Sequence, residues 1–251
     1  MLKKIVIVLL CVFMVAGSVI PHNNRIIYAY ENIYDESDIE EESESFYESE
    51  NIDPALIPVS VEDISMRTET EKYFRKIDGT YEVAIYDTAV HFNENGIWKD
   101  INNHMAYMAD EDSYENISNK FKIKFPKTID DNKSIKLSMG DYSIDWNIKG
   151  IDSSKIQYED KAIPSNNIKE LENIKSSLSY DNVLPNVDLE YILSGGNIKE
   201  NIILNTYTED SKFVFEYKMK NLDLIENEDG TVGFINDNGE TVFEFQDLVM
   251  V

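Results

Sequence analysis

The sequence predicts an all-β protein, a hairpin-rich β-sandwich with one or two short helices. Apolar and polar residues alternate with a period of two in ten segments, which are 81–86, 89–92, 121–125, 135–139, 142–148, 187–193, 198–204, 213–219, 231–235 and 241–245. Pairs such as Asn95-Gly96 and Gly195-Gly196 stand between them and supply the positive φ that tight hairpins need. A spacing of roughly eight to twelve residues between turns is typical of a sandwich or barrel.

Two stretches depart from this alternation. Ile168, Leu171, Ile174 and Leu178 recur at helical spacing after polar residues that can cap a helix. We therefore expect one short helix there, packed across a sheet, and a second over residues 64–74.

The amino terminus has the pattern of a secretory signal. Lys3 and Lys4 precede twelve apolar residues, a run that is short for a bilayer span but typical of an exported chain. We expect a signal peptide over residues 1–29 with cleavage after Ala29. Cleavage near Ala16, an uncleaved anchor, or a lipoprotein acylated at Cys11 are the alternatives. Cys11 is the only cysteine, so cleavage would leave a mature protein without disulfides.

Acidic residues dominate the chain, which carries 48 Asp and Glu against 23 Lys and Arg and a formal charge of −25. Ten acidic and no basic residues fall between Glu31 and Glu50, which predicts a disordered, solvated spacer over residues 30–60. We expect residues 61–251 to form the β-sandwich module, and a truncation at its carboxy-terminal end is left open. This charge argues against binding to nucleic acid or to anionic membrane surfaces.

No catalytic motif stands out, and we predict no catalytic, cofactor-binding or metal-ligating residue. His91 lies in a strand without the further ligands that a metal needs, and His104 lies in a polar loop. Asp188 and Glu190 share one face of a strand at ~7 Å, which leaves a glycoside hydrolase open as a lesser alternative. Trp98 and Trp146 are the candidates for binding a glycan, although tryptophans in sandwiches are more often core residues.

The order of several segments resembles the amino-terminal region of secreted, wall-associated Rhs/YD-repeat proteins of Gram-positive bacteria. The most specific part is Val183-Leu-Pro-Asn-Val-Asp-Leu-Glu-Tyr191 followed by Ile198-Lys-Glu-Asn-Ile-Ile-Leu204, within a likeness that covers residues 67–245. The resemblance implies a β-rich module displayed at the surface in contact-dependent competition between cells, and it implies no catalytic residue here. The sequence stops where such a protein would continue.

Together these observations predict a secreted or cell-wall associated, non-catalytic surface module that is not an enzyme and needs no cofactor. The expected partners are cell-wall glycan or downstream modules of a larger protein, with no nucleic acid and no stable membrane insertion after signal cleavage. A glycan-binding module is the main alternative.

Overall fold

The computed structural model describes residues 12–14, 27–29, 60–158, 171, 173–206, 212–227 and 230–246. Apart from residues 12–14 and 27–29 and Ser60, the predicted signal peptide and acidic spacer lie outside these residues, so both remain predictions. Residues 168–170 and 172 of the predicted 168–178 helix also lie outside them.

The described residues are almost entirely β, which confirms the predicted fold class. Hydrogen-bonded ladders define 21 strands, which are β1 Val12–Met14, β2 Ile27–Ala29, β3 Ser60–Glu62, β4 Glu71–Lys76, β5 Tyr81–Ile85, β6 His91–Glu94, β7 Ile97–Asp100, β8 Asn102–Met108, β9 Ser113–Ser118, β10 Lys122–Pro126, β11 Thr128–Ile129, β12 Ile135–Met139, β13 Tyr142–Ile148, β14 Ser154–Gln157, β15 Lys175–Leu184, β16 Val187–Ser194, β17 Asn197–Leu204, β18 Phe215–Lys220, β19 Asp223–Glu226, β20 Val232–Ile235 and β21 Thr241–Phe245.

All of the strand pairings are antiparallel and form four sheets. The largest has nine strands in the order β11-β14-β15-β16-β17-β1-β21-β20-β19, and the next has six in the order β18-β13-β12-β10-β9-β8. A four-stranded sheet, β2-β5-β4-β3, and the β6–β7 hairpin lie earlier in the chain. Consecutive strands mostly pair with each other, as expected for a chain built from hairpins.

The nine-stranded and six-stranded sheets pack against each other through one hydrophobic core. In many strands of these two sheets, every second side chain points into this core and is buried. The largest of these buried side chains are those of Trp146, Tyr180, Tyr191, Phe121, Phe125, Phe215, Phe234, Phe243 and Phe245. Each aromatic side chain buried in this way contributes roughly 1.5–3 kcal/mol to folding. A smaller core around Phe74, Ala84, Tyr86 and Val90 belongs to the four-stranded sheet.

Hydrogen bonds from two asparagine side chains hold the β16–β17 turn against the start of β8. The backbone carbonyl of Gly195 accepts hydrogen bonds from the amides of Asn103 and Asn119, both at 2.9 Å. Asn119 also donates to the Asn103 side chain at 2.9 Å, and Asn103 donates to the Ile174 carbonyl at 2.8 Å. These amides are buried, and they donate hydrogen bonds to backbone carbonyl groups that would otherwise lack partners in the core.

The predicted helices are wrong where the structure describes them. Residues 64–74 contain a single 3₁₀ turn, Ile64–Met66, followed by strand β4. At the other site Leu178 lies in the middle of β15, where it is buried beside its cross-strand partner Tyr191. Ile174 lies just before β15 and Leu178 lies within it, so the four-residue interval between them is not a helical turn.

Candidate functional site

The two tryptophans occupy different environments. Trp98 lies on β7, where it is half-buried and pairs with Asn93 across the hairpin. Trp146, on β13, is 1% exposed and lies in the core between the two large sheets. The structure therefore leaves no indole face of Trp146 open to a glycan, and the glycan-binding prediction now depends on Trp98.

Trp146 contacts a charged residue that the sequence analysis did not single out. Its indole Nε1 donates to Oε1 of Glu200 at 3.2 Å, and the hydroxyl of Tyr191 donates to the same oxygen. Tyr191 and Glu200 are direct cross-strand partners on β16 and β17, whereas Trp146 belongs to the opposite sheet. One carboxyl group thus connects the two layers of the sandwich.

The Glu200 carboxyl is held in an unusual electrostatic state. Its side chain is fully buried, and its second oxygen, Oε2, has no hydrogen-bond partner among the described residues. Burial raises the pKa of Glu200 to about 7, while the hydrogen bonds from Tyr191 and Trp146 act in the lowering direction. Burial and the neighbouring Glu200 raise the pKa of Tyr191 well above its usual range.

The strand pattern could have located Glu200. In Ile198-Lys-Glu-Asn-Ile202 the period of two places Glu200 on the same face as Ile198 and Ile202. Ile198 is fully buried, so an acidic residue at that position is a core residue. Alternation was predicted for residues 198–204, but it was not used to ask which face of the strand Glu200 occupies.

A second polar cluster surrounds His91 in the β6–β7 hairpin. The ring is fully buried, and its Nδ1 lies 2.6 Å from the carbonyl of Thr68, which can only accept, so Nδ1 donates. Its Nε2 lies 3.6 Å from Asp100 and 4.0 Å from Glu62. Burial lowers the pKa of His91, and the nearby Arg67 lowers it further.

Ion pairs join this cluster to the four-stranded sheet. Arg67 contacts Glu62 at 2.6 Å and Asp100 at 3.1 Å, and Lys72 contacts Asp100 at 2.9 Å. The Arg67 and Lys72 side chains are only 10% and 12% exposed, so these contacts are less screened than ordinary surface pairs. The cluster therefore fixes the hairpin to β3 and β4.

His104, predicted to lie in a solvated polar loop, lies instead on strand β8. Its Nδ1 lies 3.2 Å from the hydroxyl of Tyr158, and the two rings meet edge to face with centroids 6.1 Å apart. Tyr158 also accepts a hydrogen bond from the backbone of Met105. The contacts connect the edge of the six-stranded sheet to the end of β14.

Asp188 and Glu190 share the outward face of β16, as the alternation predicted. Both carboxylates accept hydrogen bonds from amide groups. Asp188 accepts from the backbone of Asn182 at 2.6 Å and from the side chain of Asn205 at 2.8 Å. Glu190 accepts from the Asn201 amide at 2.7 Å. These bonds hold the two carboxylates to neighbouring strands.

Within the described part of the chain, no group of three or more His, Cys, Asp or Glu side chains is placed to hold a metal ion. Among the same residues, no helix is both long and apolar enough to cross a membrane.

Comparison with known proteins finds wall-associated and nuclease proteins. The chain is 24% identical over 204 residues to the tRNA nuclease WapA of Bacillus subtilis strain 168, covering 80% of this chain and 8% of that protein. It is 25% identical over 195 residues to a wall-associated protein of Geobacillus stearothermophilus, covering 75% of this chain and 73% of the relative. No family model matches the chain, and no solved structure does.

These relatives bear on two predictions from the sequence. The resemblance to wall-associated proteins of Gram-positive bacteria is confirmed in that general form. The prediction that the chain is not an enzyme is contradicted, because three relatives from Bacillus are named tRNA nucleases. The chain spans only 8% of the length of each of those three proteins.

Proposed function

We propose that this chain is the β-rich part of a wall-associated protein of the Rhs/YD-repeat class that carries a tRNA nuclease activity, and that this part helps to display the protein at the cell surface. The proposal rests on the similarity, at 24% identity over 80% of this chain, to proteins of Bacillus subtilis that are named as WapA tRNA nucleases. The relative from Geobacillus, which is similar along most of its own length, is named for the wall.

The fold is suited to that task. Two large antiparallel sheets share one aromatic core, so the unit is stabilised without disulfides. The only cysteine, Cys11, lies in the predicted signal peptide. A domain of this kind can fold outside the cell without help from oxidative cross-linking.

Immunodepletion tests the link to nuclease activity. Antiserum raised against residues 60–246 is used to deplete a wall extract of the source cells, and cleavage of added tRNA is measured before and after. We expect tRNA cleavage to fall with the loss of the immunoreactive band, whereas pre-immune serum should leave it unchanged. Full tRNA cleavage in an extract that no longer contains the band would refute the proposal.

A further inference from the structure

Among the described residues, Glu200 is the one acidic residue that is fully buried. The groups that face its carboxyl are the Tyr191 phenol on β16 and the Trp146 indole on β13. Tyr180 on β15 packs edge to face against Tyr191 and is the next titratable group. Among the described residues, no Lys, Arg or His contributes to the electrostatics of Glu200.

Burial favours a neutral acid, and the pattern of hydrogen bonds places its proton on Oε2. Oε1 accepts two hydrogen bonds, which a carbonyl oxygen can do with its two lone pairs. Oε2 receives none from the described residues. An ionised carboxylate would leave charge on this unsolvated oxygen, which costs far more than burying a neutral hydroxyl.

We propose that Glu200 makes the sandwich a pH-responsive unit, in which the two large sheets hold together most firmly while the carboxyl is protonated and loosen as it ionises. The position of the group supports this effect, because Glu200 and Trp146 meet across the interface between the sheets. Charge at this point weakens the contact between the layers and leaves each sheet's own ladder of hydrogen bonds intact.

The direction of the effect follows from linkage. The carboxyl titrates near its ordinary value of 4.5 in the unfolded chain and at about 7 in the folded protein. The folded state therefore holds the proton more tightly, and stability falls as the pH rises from 4.5 to 7 and then levels off. Between pH 5 and pH 8 this one group should raise the unfolding equilibrium constant about 70-fold.

Denaturant unfolding of the full chain tests the proposal. A Trp98→Phe background leaves Trp146 as the only tryptophan, so its fluorescence reports on the core. The Glu200→Gln variant keeps the shape and an acceptor oxygen but cannot ionise. Glu190→Gln, on the outward face of the neighbouring strand, is the matched control.

We expect the ratio of the unfolding constants of the parent and Glu200→Gln to rise about 70-fold from pH 5 to pH 8. The same ratio for Glu190→Gln should stay within a factor of about three. Equal pH dependence in the parent and Glu200→Gln would overturn the proposal.

Infrared spectroscopy of the parent keeps the proposal testable if Glu200→Gln does not fold. A protonated carboxyl band that persists at pH 6 and disappears by pH 8 is expected. Loss of every protonated carboxyl band below pH 6 would overturn it.

Discussion

The Trp146 indole donates a hydrogen bond of 3.2 Å to the Glu200 carboxyl across the two sheets of the sandwich. Each residue lies on the buried face of its own strand, and neither is more than 1% exposed. The pair therefore couples the packing of the core to the protonation of an acid.

Replacing Trp146 with Phe should destabilise the fold by about 2–4 kcal/mol. The change removes a donor to a buried carboxyl and leaves a cavity in a packed core. It should also raise the pKa of Glu200 further, because the lost hydrogen bond acts in the lowering direction. Urea unfolding followed by circular dichroism measures the first effect, and its repetition from pH 5 to pH 9 measures the second.

Trp98→Phe is the control for that experiment. Trp98 is half-buried on a hairpin, so its replacement should change stability by no more than about 0.5 kcal/mol. A loss as large as that of Trp146→Phe would show that burial in the core is not the cause.

The buried His91 should make the fold sensitive to acid. Its pKa is lowered in the folded state, so the unfolded chain binds the proton more readily and stability is lost as the pH falls below about 6.5. His91→Asn keeps a donor for the Thr68 carbonyl and cannot gain charge. Thermal unfolding at pH 7 and pH 5 should show that acidification lowers the stability of the parent relative to His91→Asn.

The comparison with the parent protein is essential for the His91 prediction, because Glu200 changes stability in the opposite direction over the same pH range. Both proteins contain Glu200, so its effect cancels in the difference. An identical loss of stability in both proteins on acidification would contradict the role given to His91.

Gly195 should tolerate no side chain. Its φ is +55°, and a Cβ there would lie 2.1 Å from Oγ1 of Thr88 and 2.8 Å from the backbone oxygen of Ala89. We expect Gly195→Ala to cost about 2–4 kcal/mol, from the left-handed backbone and the clash together. Gly140, at φ +58° with nothing within 4 Å of its Cβ position, isolates the backbone effect.

Gly140→Ala should therefore cost only about 1–2 kcal/mol in the same thermal unfolding assay. Equal losses from the two substitutions would show that the contact between the β16–β17 turn and residues 88–89 contributes nothing to stability.

Trp98 is the remaining candidate for binding a wall glycan. If its half-exposed ring stacks on a sugar, Trp98→Ala should weaken retention on purified wall polysaccharide about tenfold, as expected for loss of about 1.4 kcal/mol. Ile97→Ala is the control, because Ile97 is the neighbouring residue and is 65% exposed. Retention that is unaffected by Trp98→Ala, or lost equally in both variants, would remove the glycan hypothesis.

The sequence predicted much of the sandwich because alternation and turn chemistry are local. The bounds of Ile135–Met139, Tyr142–Ile148 and Thr241–Phe245 match the prediction, and Asn95 and Gly96 adopt the expected positive φ. Strands β8 and β9 were not predicted, because they bury polar residues such as Asn103 and Asn116. The Asn103 amide finds its partner 92 positions along the chain, at Gly195, which no local pattern reveals. Asn116 instead bonds to the backbone of Phe121 and Ile123, where the chain turns into β10.

The candidate site was less predictable for a similar reason. The burial of Trp146 and Glu200 depends on two sheets meeting, and the residues are 54 positions apart. Alternation along β17 indicates that Glu200 faces the core, but its hydrogen-bond partners follow only from the assembled fold. His91 likewise gains its neighbours Asp100 and Glu62 from separate strands.

Cell fractionation tests whether this chain belongs to a wall-associated protein. An antiserum against residues 60–246 is used to probe the wall, membrane, cytoplasmic and culture fractions of the source cells, with a cytoplasmic enzyme as the lysis control. Our account predicts that the immunoreactive band concentrates in the wall fraction and is larger than this chain. A band confined to the cytoplasmic fraction would contradict it.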